Sequence, residues 1–299
     1  SIEMKRILIT GANSYIGTSF EKWVGQWPEE YKVNTVETRN GQWNELDFSI
    51  YDVVLHVAGI AHIKETKENQ HLYYLVNRDL AIDVAKKASE EGVKQFILLS
   101  SMSVYGLEKG IIDKTTPLTP KNAYGHSKME AEIAIEKMNS NDFTVTILRP
   151  PMIYGKGCKG NYQTLSKFAK KTPVFPTVNS KRSMIYIDNL SEYIRYLIDH
   201  KLNGLFCPQN NEYTNIHDLV KAVANNSNNK IKFIGILNPF VHLLSNRLNN
   251  SVVSKVFGDL IYDKVSFSLN GFTENAEYTK IPFEETIRLT EEQVLNYEK

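Results

Sequence analysis

The chain has little of several features that mark specialised protein classes. Only two cysteines, Cys158 and Cys207, occur among 299 residues, and they match no disulfide framework and no metal-ligand spacing. We therefore predict two reduced thiols, no metal site and a cytoplasmic location. No run of about 18 apolar residues is present, so no membrane-spanning helix is predicted. No secretory signal is visible either.

An excess of one charge sign is also lacking. The chain has 35 Lys and Arg residues against 34 Asp and Glu residues, and its net charge is +1. This balance provides no basic surface for nucleic acid or for an anionic membrane, so we predict neither as a partner. The hydrophobic content of 42% and the charged content of 23% are ordinary for a globular protein. The length suits one large domain or two unequal ones.

The first half of the chain alternates strand patterns with helix patterns. Short apolar runs predict strands at 5–10, 32–38, 51–58, 95–100 and 144–148. Helical spacing predicts helices at about 14–25, 80–92 and 123–138. The second half is less regular, with predicted helices at 161–171 and 190–200 around a strand at 183–187. Alternating strands and helices predict a parallel sheet that is covered on both faces.

A glycine-containing turn follows the first predicted strand. Gly11 allows the chain to turn sharply, and Gly17 allows the next helix to approach the sheet closely. Backbone N–H groups at the start of that helix, together with the helix dipole, suit a pyrophosphate. Ser14 stands where a glycine is expected, and its hydroxyl can also donate to a phosphate. The predicted dinucleotide-binding residues of the turn are Gly11, Asn13, Ser14, Tyr15, Ile16 and Gly17.

Residues at the ends of the next two strands extend the predicted nucleotide site. Glu37 is placed to accept hydrogen bonds from an adenosine ribose and favours NAD, whereas Arg39 offers a contact for the 2′-phosphate of NADP. Both are equally well explained as plain surface charges. We expect Asp47 and Phe48 to flank the adenine. The third strand ends in His56-Val57-Ala58-Gly59, and Val57, Ala58 and Gly59 are small enough to leave room for a cofactor.

Tyr124 and Lys128 lie four residues apart in a long helical pattern, so their side chains share one helix face. A nearby ammonium and a cationic nicotinamide both stabilise the phenolate of a tyrosine, which otherwise ionises near pH 10. Such a tyrosine can take a proton from an alcohol while hydride leaves its carbon, or act as the acid in reverse. Tyr105 and Lys109 have the same spacing, but two neighbouring glycines disfavour a helix there.

Two serines end the fourth predicted strand. Ligands of open parallel sheets bind at the carboxyl ends of the strands. A hydroxyl of Ser100 or Ser101 can therefore hold a substrate oxygen beside the tyrosine. Taken alone, the two serines are better explained as merely the end of a strand.

Together these residues resemble the extended short-chain dehydrogenase/reductase family, in its nucleotide-sugar epimerase and 4-keto-reductase branch. The matching segments follow the family order over about the first two-thirds of the chain. These segments are 10–17, 56–59, Asn77, 100–106, Tyr124 with Lys128, 148–151 and 182–188. The resemblance implies an α/β fold with a Rossmann-type doubly wound parallel sheet and a smaller C-terminal substrate-binding part. The NAD(P)-binding domain would span 1–150, rejoined by about 182–201, and the substrate part would comprise 151–181 and 202–299.

The resemblance also implies roles for individual residues. Tyr124 would be the acid/base, Lys128 would hold the nicotinamide ribose, and Ser101 would bind the sugar oxygen. Asn77, Ser100 and Pro150 would join the cofactor site. The substrate-binding set would be Ser101, Met102, Ser103, Tyr105, Pro151, Asn161 and Arg182, the last two at the nucleotide diphosphate. The implied assembly is a homodimer through helices at about 78–90 and 123–138.

Three functions stay open at this point. The first is an NAD(P)-dependent 4-epimerase of a nucleotide sugar, with a UDP-sugar as the expected substrate and NAD as the expected cofactor, NADP being the alternative. The second is an NAD(P)H-dependent reductase of a 4-keto nucleotide sugar, and the third is a non-catalytic NADP-sensing protein. The segment 151–155 lacks the asparagine of many 4-epimerases, which favours the reductase. Ser14 in place of glycine and the short stretch between the second and third strands are further departures. The epimerase is placed first because its chemistry is common in the branch.

Overall fold

The computed structural model of the chain describes residues 3–177, 179–235, 257–269, 271–272, 278 and 280–292. The strands are β1 Lys5–Thr10, β2 Tyr31–Val36, β3 Val53–His56, β4 Gln95–Leu99, β5 Gly110–Ile112, β6 Thr144–Leu148, β7 Met152–Tyr154, β8 Val174–Pro176, β9 Lys181–Arg182, β10 Met184–Tyr186, β11 Gly204–Phe206, β12 Thr214–Asn215, β13 Lys232–Ile234 and β14 Leu260–Tyr262. The α-helices are α1 Tyr15–Val24, α2 Gln42–Glu45, α3 Gln70–Tyr73, α4 Ala81–Glu90, α5 Ala123–Glu136, α6 Asn161–Lys171, α7 Ile187–Asp199, α8 Ile216–Asn226 and α9 Phe283–Glu291.

The centre of the fold is a six-stranded sheet with the order β2-β1-β3-β4-β6-β11. Every neighbouring pair in it is parallel. The strand order reverses between β1 and β3, and open sheets of this kind bind ligands outside the carboxyl ends of the strands at such a point. The predicted fold class is confirmed. The glycine turn after β1 therefore lies at the position where a dinucleotide is expected.

The sheet separates two hydrophobic cores because alternate side chains of a strand point to opposite faces. Ile7 and Ile9 of β1 pack with Phe20 of α1 and Leu190 of α7 in one core. Leu8 packs in the other core, which contains apolar residues of α4 and α5. All residues of β3 and β4 are buried, as expected for strands covered on both faces.

The segment after β10 differs in part from the prediction. β10 corresponds to the predicted strand at 183–187, but it pairs with β7 outside the central sheet. The strand that joins the edge of the central sheet is β11, whose three residues are too few to give a clear sequence pattern. α7 packs against α1, where Trp23 Nε1 donates to Glu192 Oε1 at 3.1 Å.

The helix predicted at about 80–92 begins earlier than the sequence pattern suggests. It continues without a break from α3 through a π-helical segment, Tyr74–Leu80, into α4. The division of the chain into two parts stays a prediction, since much of 236–299 lies outside the described residues. Within the described ranges, no helix has the length and apolar character needed to cross a bilayer.

Candidate active site

The turn after β1 is shaped by close contact with the end of β3. Gly11 has φ of 116°, and a Cβ built on it would lie 2.7 Å from the backbone nitrogen of Ala58. A Cβ on Gly17 would lie 3.0 Å from Ile9 Cγ2 and 3.2 Å from Val57 Cγ2. Both predicted glycine roles therefore have a physical cause in this structure. A side chain at either position would push the turn away from the sheet.

Ser14 replaces the expected glycine without disturbing the turn. It is the N-cap of α1, and its Oγ accepts a hydrogen bond from the Gly17 N–H at 3.4 Å. Asn13 is exposed and has φ of 66°, a left-handed conformation that asparagine tolerates. Tyr15 and Ile16 begin the helix, whose first N–H groups have no acceptor within the helix itself. The turn thus has the bare backbone and the helix N-terminus that fit a pyrophosphate.

Of the predicted adenosine-binding residues, some lie at the surface and one lies in the core. Glu37 follows β2, and its Oε1 accepts from the N–H groups of Thr38 and Arg39 at 3.1 and 3.3 Å. The side chain of Arg39 is 87% exposed. Asp47 is also exposed, and hydrogen bonds from Ser49 lower its pKa. Phe48 requires a correction, since its ring is fully buried in the core and its N–H donates to Glu91 Oε1. Its side chain therefore cannot flank an adenine.

The end of β3 combines small residues with tight contacts. Val57 is buried, Ala58 lies against Gly11, and Gly59 is exposed. A Cβ on Gly59 would lie 3.0 Å from Asn77 Oδ1 and 3.2 Å from Lys128 Nζ. Gly59 thus lies against Asn77 and the predicted catalytic lysine, and its neighbour Ala58 lies against Gly11 of the turn.

Asn77 was expected in the cofactor site, but its amide has another use. Its Oδ1 accepts from the Ile60 N–H at 2.8 Å, and its Nδ2 donates to the Ile60 carbonyl at 3.1 Å and to Ser127 Oγ at 3.2 Å. The side chain is buried. Asn77 therefore positions the segment after β3 against α5, and its predicted contact with the cofactor stays a prediction.

Tyr124 and Ser101 lie beside each other. Tyr124 is half-buried in the first turn of α5, whose N-cap Asn122 accepts from the Gly125 N–H at 2.8 Å. Burial raises the pKa of the Tyr124 phenol, a hydrogen bond with the Ser101 hydroxyl lowers it, and Tyr73 raises it. Ser101 Oγ also accepts from the Ser103 N–H at 3.0 Å. Ser101 is thus held by the turn that follows β4, with its hydroxyl towards the tyrosine.

Lys128 lies one helical turn after Tyr124 and is 5% exposed. Its Nζ donates to the carbonyl oxygen of Leu99, the last residue of β4, at 2.9 Å. Burial lowers the pKa of the ammonium to about 8, while the Glu132 carboxylate raises it. An ammonium with this pKa is mostly a cation at neutral pH.

Two predicted contact residues belong to the core. Ser100 donates from Oγ to Glu132 Oε2 at 2.5 Å and is buried. Tyr105 is 2% exposed, its OH accepts from Arg149 Nη1 at 2.8 Å, and its ring packs against Tyr262. The Ser100 hydroxyl is therefore not available to a cofactor. The Tyr105 hydroxyl is likewise not available to a substrate. These two predictions are corrected, because both side chains point into a buried polar network.

The other predicted substrate residues are distributed around the strand ends. Met102 and Ser103 form the turn after Ser101, and the Met102 N–H donates to the Pro150 carbonyl at 3.1 Å. Pro150 and Pro151 are both buried. Asn161 is exposed at the first position of α6. Arg182 is buried on β9, where its Nη1 donates to the Glu108 carbonyl at 3.2 Å and burial lowers its pKa.

Sequence reasoning missed the buried charges behind the site. Glu132 and Arg149 form an ion pair with Arg149 Nη2 2.5 Å from Glu132 Oε1. His56, at the end of β3, is fully buried with Nδ1 2.7 Å from Thr10 Oγ1, and burial followed by Lys128 lowers its pKa to about 3. The signal for Glu132 was its position four residues after Lys128, which places both on one helix face.

Comparison with known proteins identifies the family. The model of the NAD-dependent epimerase/dehydratase family matches residues 7–206. The chain belongs to this family. It is 31% identical over 248 residues to a UDP-glucose 4-epimerase of Vibrio cholerae, covering 74% of this chain and 75% of that protein.

Solved structures of low sequence identity share the fold. A UDP-glucuronic acid 4-epimerase of Bacillus cereus, in complex with NAD, has a TM-score of 0.71 and 17% identity, with 96% and 97% of the two chains covered. A dTDP-4-dehydrorhamnose reductase of Bacillus anthracis, in complex with NADP, has a TM-score of 0.68 and 20% identity, with 96% and 99% covered. The predictions of an NAD(P)-dependent enzyme of the extended short-chain dehydrogenase/reductase type, and of its cofactor class, are confirmed.

Proposed function

We propose that this enzyme is a nucleotide-sugar 4-epimerase that acts on a UDP-sugar and uses Tyr124 as its acid/base. One observation carries the proposal, the meeting of the Tyr124, Ser101 and Lys128 side chains at the carboxyl ends of β3 and β4. Lys128 Nζ donates to the Leu99 carbonyl at 2.9 Å, and the Ser101 hydroxyl is close enough to the Tyr124 phenol to lower its pKa. The similarity to the UDP-glucose 4-epimerase of Vibrio cholerae supports the choice of reaction and substrate.

The side chains divide the work on the sugar hydroxyl. The bound nicotinamide supplies a hydride acceptor. Ser101 Oγ orients the C4 oxygen beside the phenol, and Tyr124 takes the proton of that oxygen as the hydride leaves. The Lys128 ammonium lowers the pKa of the phenol and holds the nicotinamide ribose. In the return direction Tyr124 would give the proton back to the C4 oxygen.

NAD is the proposed cofactor because Glu37 follows β2 at the position where a carboxylate can accept from the ribose hydroxyls. Arg39 is almost fully exposed and provides the alternative contact, with the 2′-phosphate of NADP. For the substrate, we propose that Asn161 and Arg182 contact the diphosphate, as expected from the resemblance. The guanidinium of Arg182 suits a phosphate because its N–H groups form a planar fork.

Substrate interconversion tests the proposed reaction. Purified protein would be incubated with UDP-glucose or UDP-N-acetylglucosamine without added cofactor, and the anomeric proton signals would be followed by NMR. The C4 epimer should form at substoichiometric cofactor, and Tyr124→Phe should abolish its formation. A protein that converts neither sugar, but oxidises NADH or NADPH stoichiometrically with a 4-keto nucleotide sugar, would contradict the epimerase.

A 4-keto-sugar reductase is the second candidate, and a specific observation favours it. The segment 151–155 carries no asparagine, and its β7 residues pair with β10 while Tyr154 is buried with its OH near Thr286. The same Ser101, Tyr124 and Lys128 would act with Tyr124 as the acid. The B. anthracis reductase shares the fold of this chain, which is compatible with this reading.

We also propose a homodimer and a cytoplasmic location. Leu72, Leu75 and Ile133 are exposed on α3, the π-helical segment and α5, and Arg78 pairs with Glu130 between these helices at 2.6 Å. The resemblance assigns the helices at about 78–90 and 123–138 to a partner; Arg78, Glu130 and Ile133 lie on them, and Leu72 and Leu75 lie just before the first. Cys158 and Cys207 are buried free thiols, as suits a reducing compartment. Analytical ultracentrifugation should give about twice the chain mass of 34.2 kDa, and a monomer would contradict the dimer.

A further inference from the structure

We propose that Glu132 is a positioning residue of the active site, which fixes the segments that carry Ser101 and Lys128 and keeps Lys128 in its cationic form. Glu132 is 3% exposed and lies one turn beyond Lys128 on α5. The inference rests on the proposed roles of Tyr124, Lys128 and Ser101.

Both carboxylate oxygens of Glu132 have partners from other elements. Oε1 accepts from Arg149 Nη2 at 2.5 Å and from Arg149 Nε at 3.0 Å. Oε2 accepts from Arg149 Nε at 3.1 Å and from Ser100 Oγ at 2.5 Å. The remaining arm of the guanidinium, Nη1, donates to the Tyr105 OH at 2.8 Å. A buried ion pair with its other hydrogen bonds satisfied is rigid, and removal of one partner leaves an uncompensated charge.

The ion pair connects the backbone segments that carry the site. Ser100 stands between Leu99, whose carbonyl accepts from Lys128 Nζ, and Ser101, whose hydroxyl meets Tyr124. Arg149 precedes Pro150, whose carbonyl accepts from the Met102 N–H. Tyr105 ends the turn that begins after Ser101. A single carboxylate therefore links the ends of β4 and β6, and the turn after β4, to the helix that carries Tyr124 and Lys128.

The charge of Glu132 also acts on Lys128. The titratable groups that interact with the ammonium are Glu132 on its own helix and His56 at the end of β3. Burial with Lys128 nearby lowers the pKa of His56 to about 3, so this imidazole stays neutral between pH 6 and 10. Burial lowers the pKa of Lys128 and Glu132 opposes that shift. Loss of the carboxylate should thus move the Lys128 titration to lower pH.

The experiment changes the charge of this side chain in one variant and its length in another. Glu132→Gln removes the charge, Glu132→Asp keeps it, and Glu136→Gln is the control for an exposed carboxylate on the same helix. The apoprotein would be labelled with 13Cε-lysine, and the Lys128 signal would be assigned by its absence in Lys128→Met. The NMR titration of that signal needs neither substrate nor cofactor.

Glu132→Gln should lower the Lys128 titration midpoint by about one unit. Turnover should fall about tenfold at pH 8, with KM within twofold, and the alkaline limb of the pH–rate profile should move down with the midpoint. Glu132→Asp should retain the wild-type midpoint while turnover falls, and Glu136→Gln should change neither. If Glu132→Gln does not fold, the double variant Glu132→Gln/Arg149→Met, which removes both buried charges, replaces it. The Lys128 midpoint should then also be lower than in the wild type.

An unchanged Lys128 midpoint in the Gln variant would overturn the electrostatic role, whatever its thermal stability. Wild-type turnover in both the Gln and Asp variants would overturn the positioning role. A shifted midpoint in a protein that epimerises no nucleotide sugar would instead place the failure in the proposed reaction, so the two outcomes are distinguishable.

Discussion

The turn after β1 and the end of β4 lie at the same edge of the sheet but are built in opposite ways. The turn depends on missing side chains, because Gly11 and Gly17 allow Ala58 and Val57 to approach within contact distance. The end of β4 depends on side chains that are present and charged, above all Lys128 with Glu132 and Arg149 behind it. The comparison teaches that the expected cofactor site is a matter of shape, whereas the expected catalytic site is a matter of charge held away from water.

The largest effect should come from the phenol at the charged end. Tyr124→Phe removes the only proton donor that we assign to the chemistry, and kcat should fall by about 10³-fold or more. Substrate and cofactor affinity should change little, because the ring remains. Tyr51→Phe is the control, since that buried tyrosine precedes β3 at the other edge of the sheet. Steady-state kinetics and calorimetry measure both quantities, and near-normal turnover in Tyr124→Phe would remove it from the mechanism.

The shape of the turn is tested by adding one methyl group. Gly11→Ala places a Cβ 2.7 Å from the Ala58 nitrogen at a positive φ, a strain of about 1–3 kcal/mol. The Kd for NAD should rise about tenfold and Tm should fall by several degrees. Gly41→Ala is the matched control, because no atom lies within 4 Å of its added Cβ and its φ is −75°. Equal NAD affinity in both variants, measured by calorimetry, would contradict the close approach of the turn to β3.

A lysine buried for function should lower stability, and Lys128→Met measures that cost. The pKa of Lys128 is about 8 in the folded chain against 10.5 for an ordinary lysine, so the unfolded chain binds more protons between these values. The cost is present in full below pH 8 and disappears as the pH rises towards 10.5. Lys128→Met should therefore gain about 2 kcal/mol in free energy of unfolding at pH 7, and this gain should vanish near pH 10.

Urea unfolding at both pH values checks the prediction for Lys128→Met. Lys137→Met, at the exposed end of the same helix, serves as the control and should show no pH-dependent gain. A Lys128→Met protein that is less stable than the wild type at pH 7 would mean that the hydrogen bond to Leu99 outweighs the burial cost.

The smallest effects should come from the exposed charges near the adenosine site. Glu37→Gln should weaken NAD binding about fivefold, because one charge-assisted hydrogen bond to the ribose is lost. Arg39→Ala should change NAD affinity less than twofold, because exposed ion pairs contribute about 0–1 kcal/mol. Calorimetry with NAD and NADP measures both variants. A large loss of NADP binding in Arg39→Ala, with NAD unaffected, would reassign the cofactor to NADP.

The parts of the fold that sequence predicted well are those with a local cause. The apolar run of β6 and the helix α6 have the predicted bounds, because five consecutive buried residues and a regular helical stripe are local patterns. β11 was missed, since it is a three-residue strand whose place in the sheet depends on its pairing with β6. The π-helical segment before α4 was missed for a similar reason, because a wider helical turn leaves almost the same spacing.

Within the site, the residues proposed to act on the substrate were easier to predict than the buried residues that hold them in place. Tyr124, Lys128 and Ser101 were predicted because their residue types and spacing imply a reaction, and their catalytic roles stay predictions. In the structure Lys128 Nζ donates to the Leu99 carbonyl at the end of β4, two residues before Ser101. Phe48, Ser100 and Tyr105 were assigned to ligands, but all three are buried. Whether a side chain at a strand end points to the cleft or to the core depends on partners distant in sequence. For Ser100 and Tyr105 these partners are Glu132 and Arg149.

Identification of the nucleotide released from the purified protein tests the proposed epimerase most directly. The protein would be purified without added cofactor and denatured, and the released nucleotide would be quantified by mass spectrometry. An epimerase that regenerates its own cofactor should release close to one NAD per chain. A protein that is empty as purified and exchanges NADH or NADPH reversibly would contradict the epimerase and support the keto-sugar reductase.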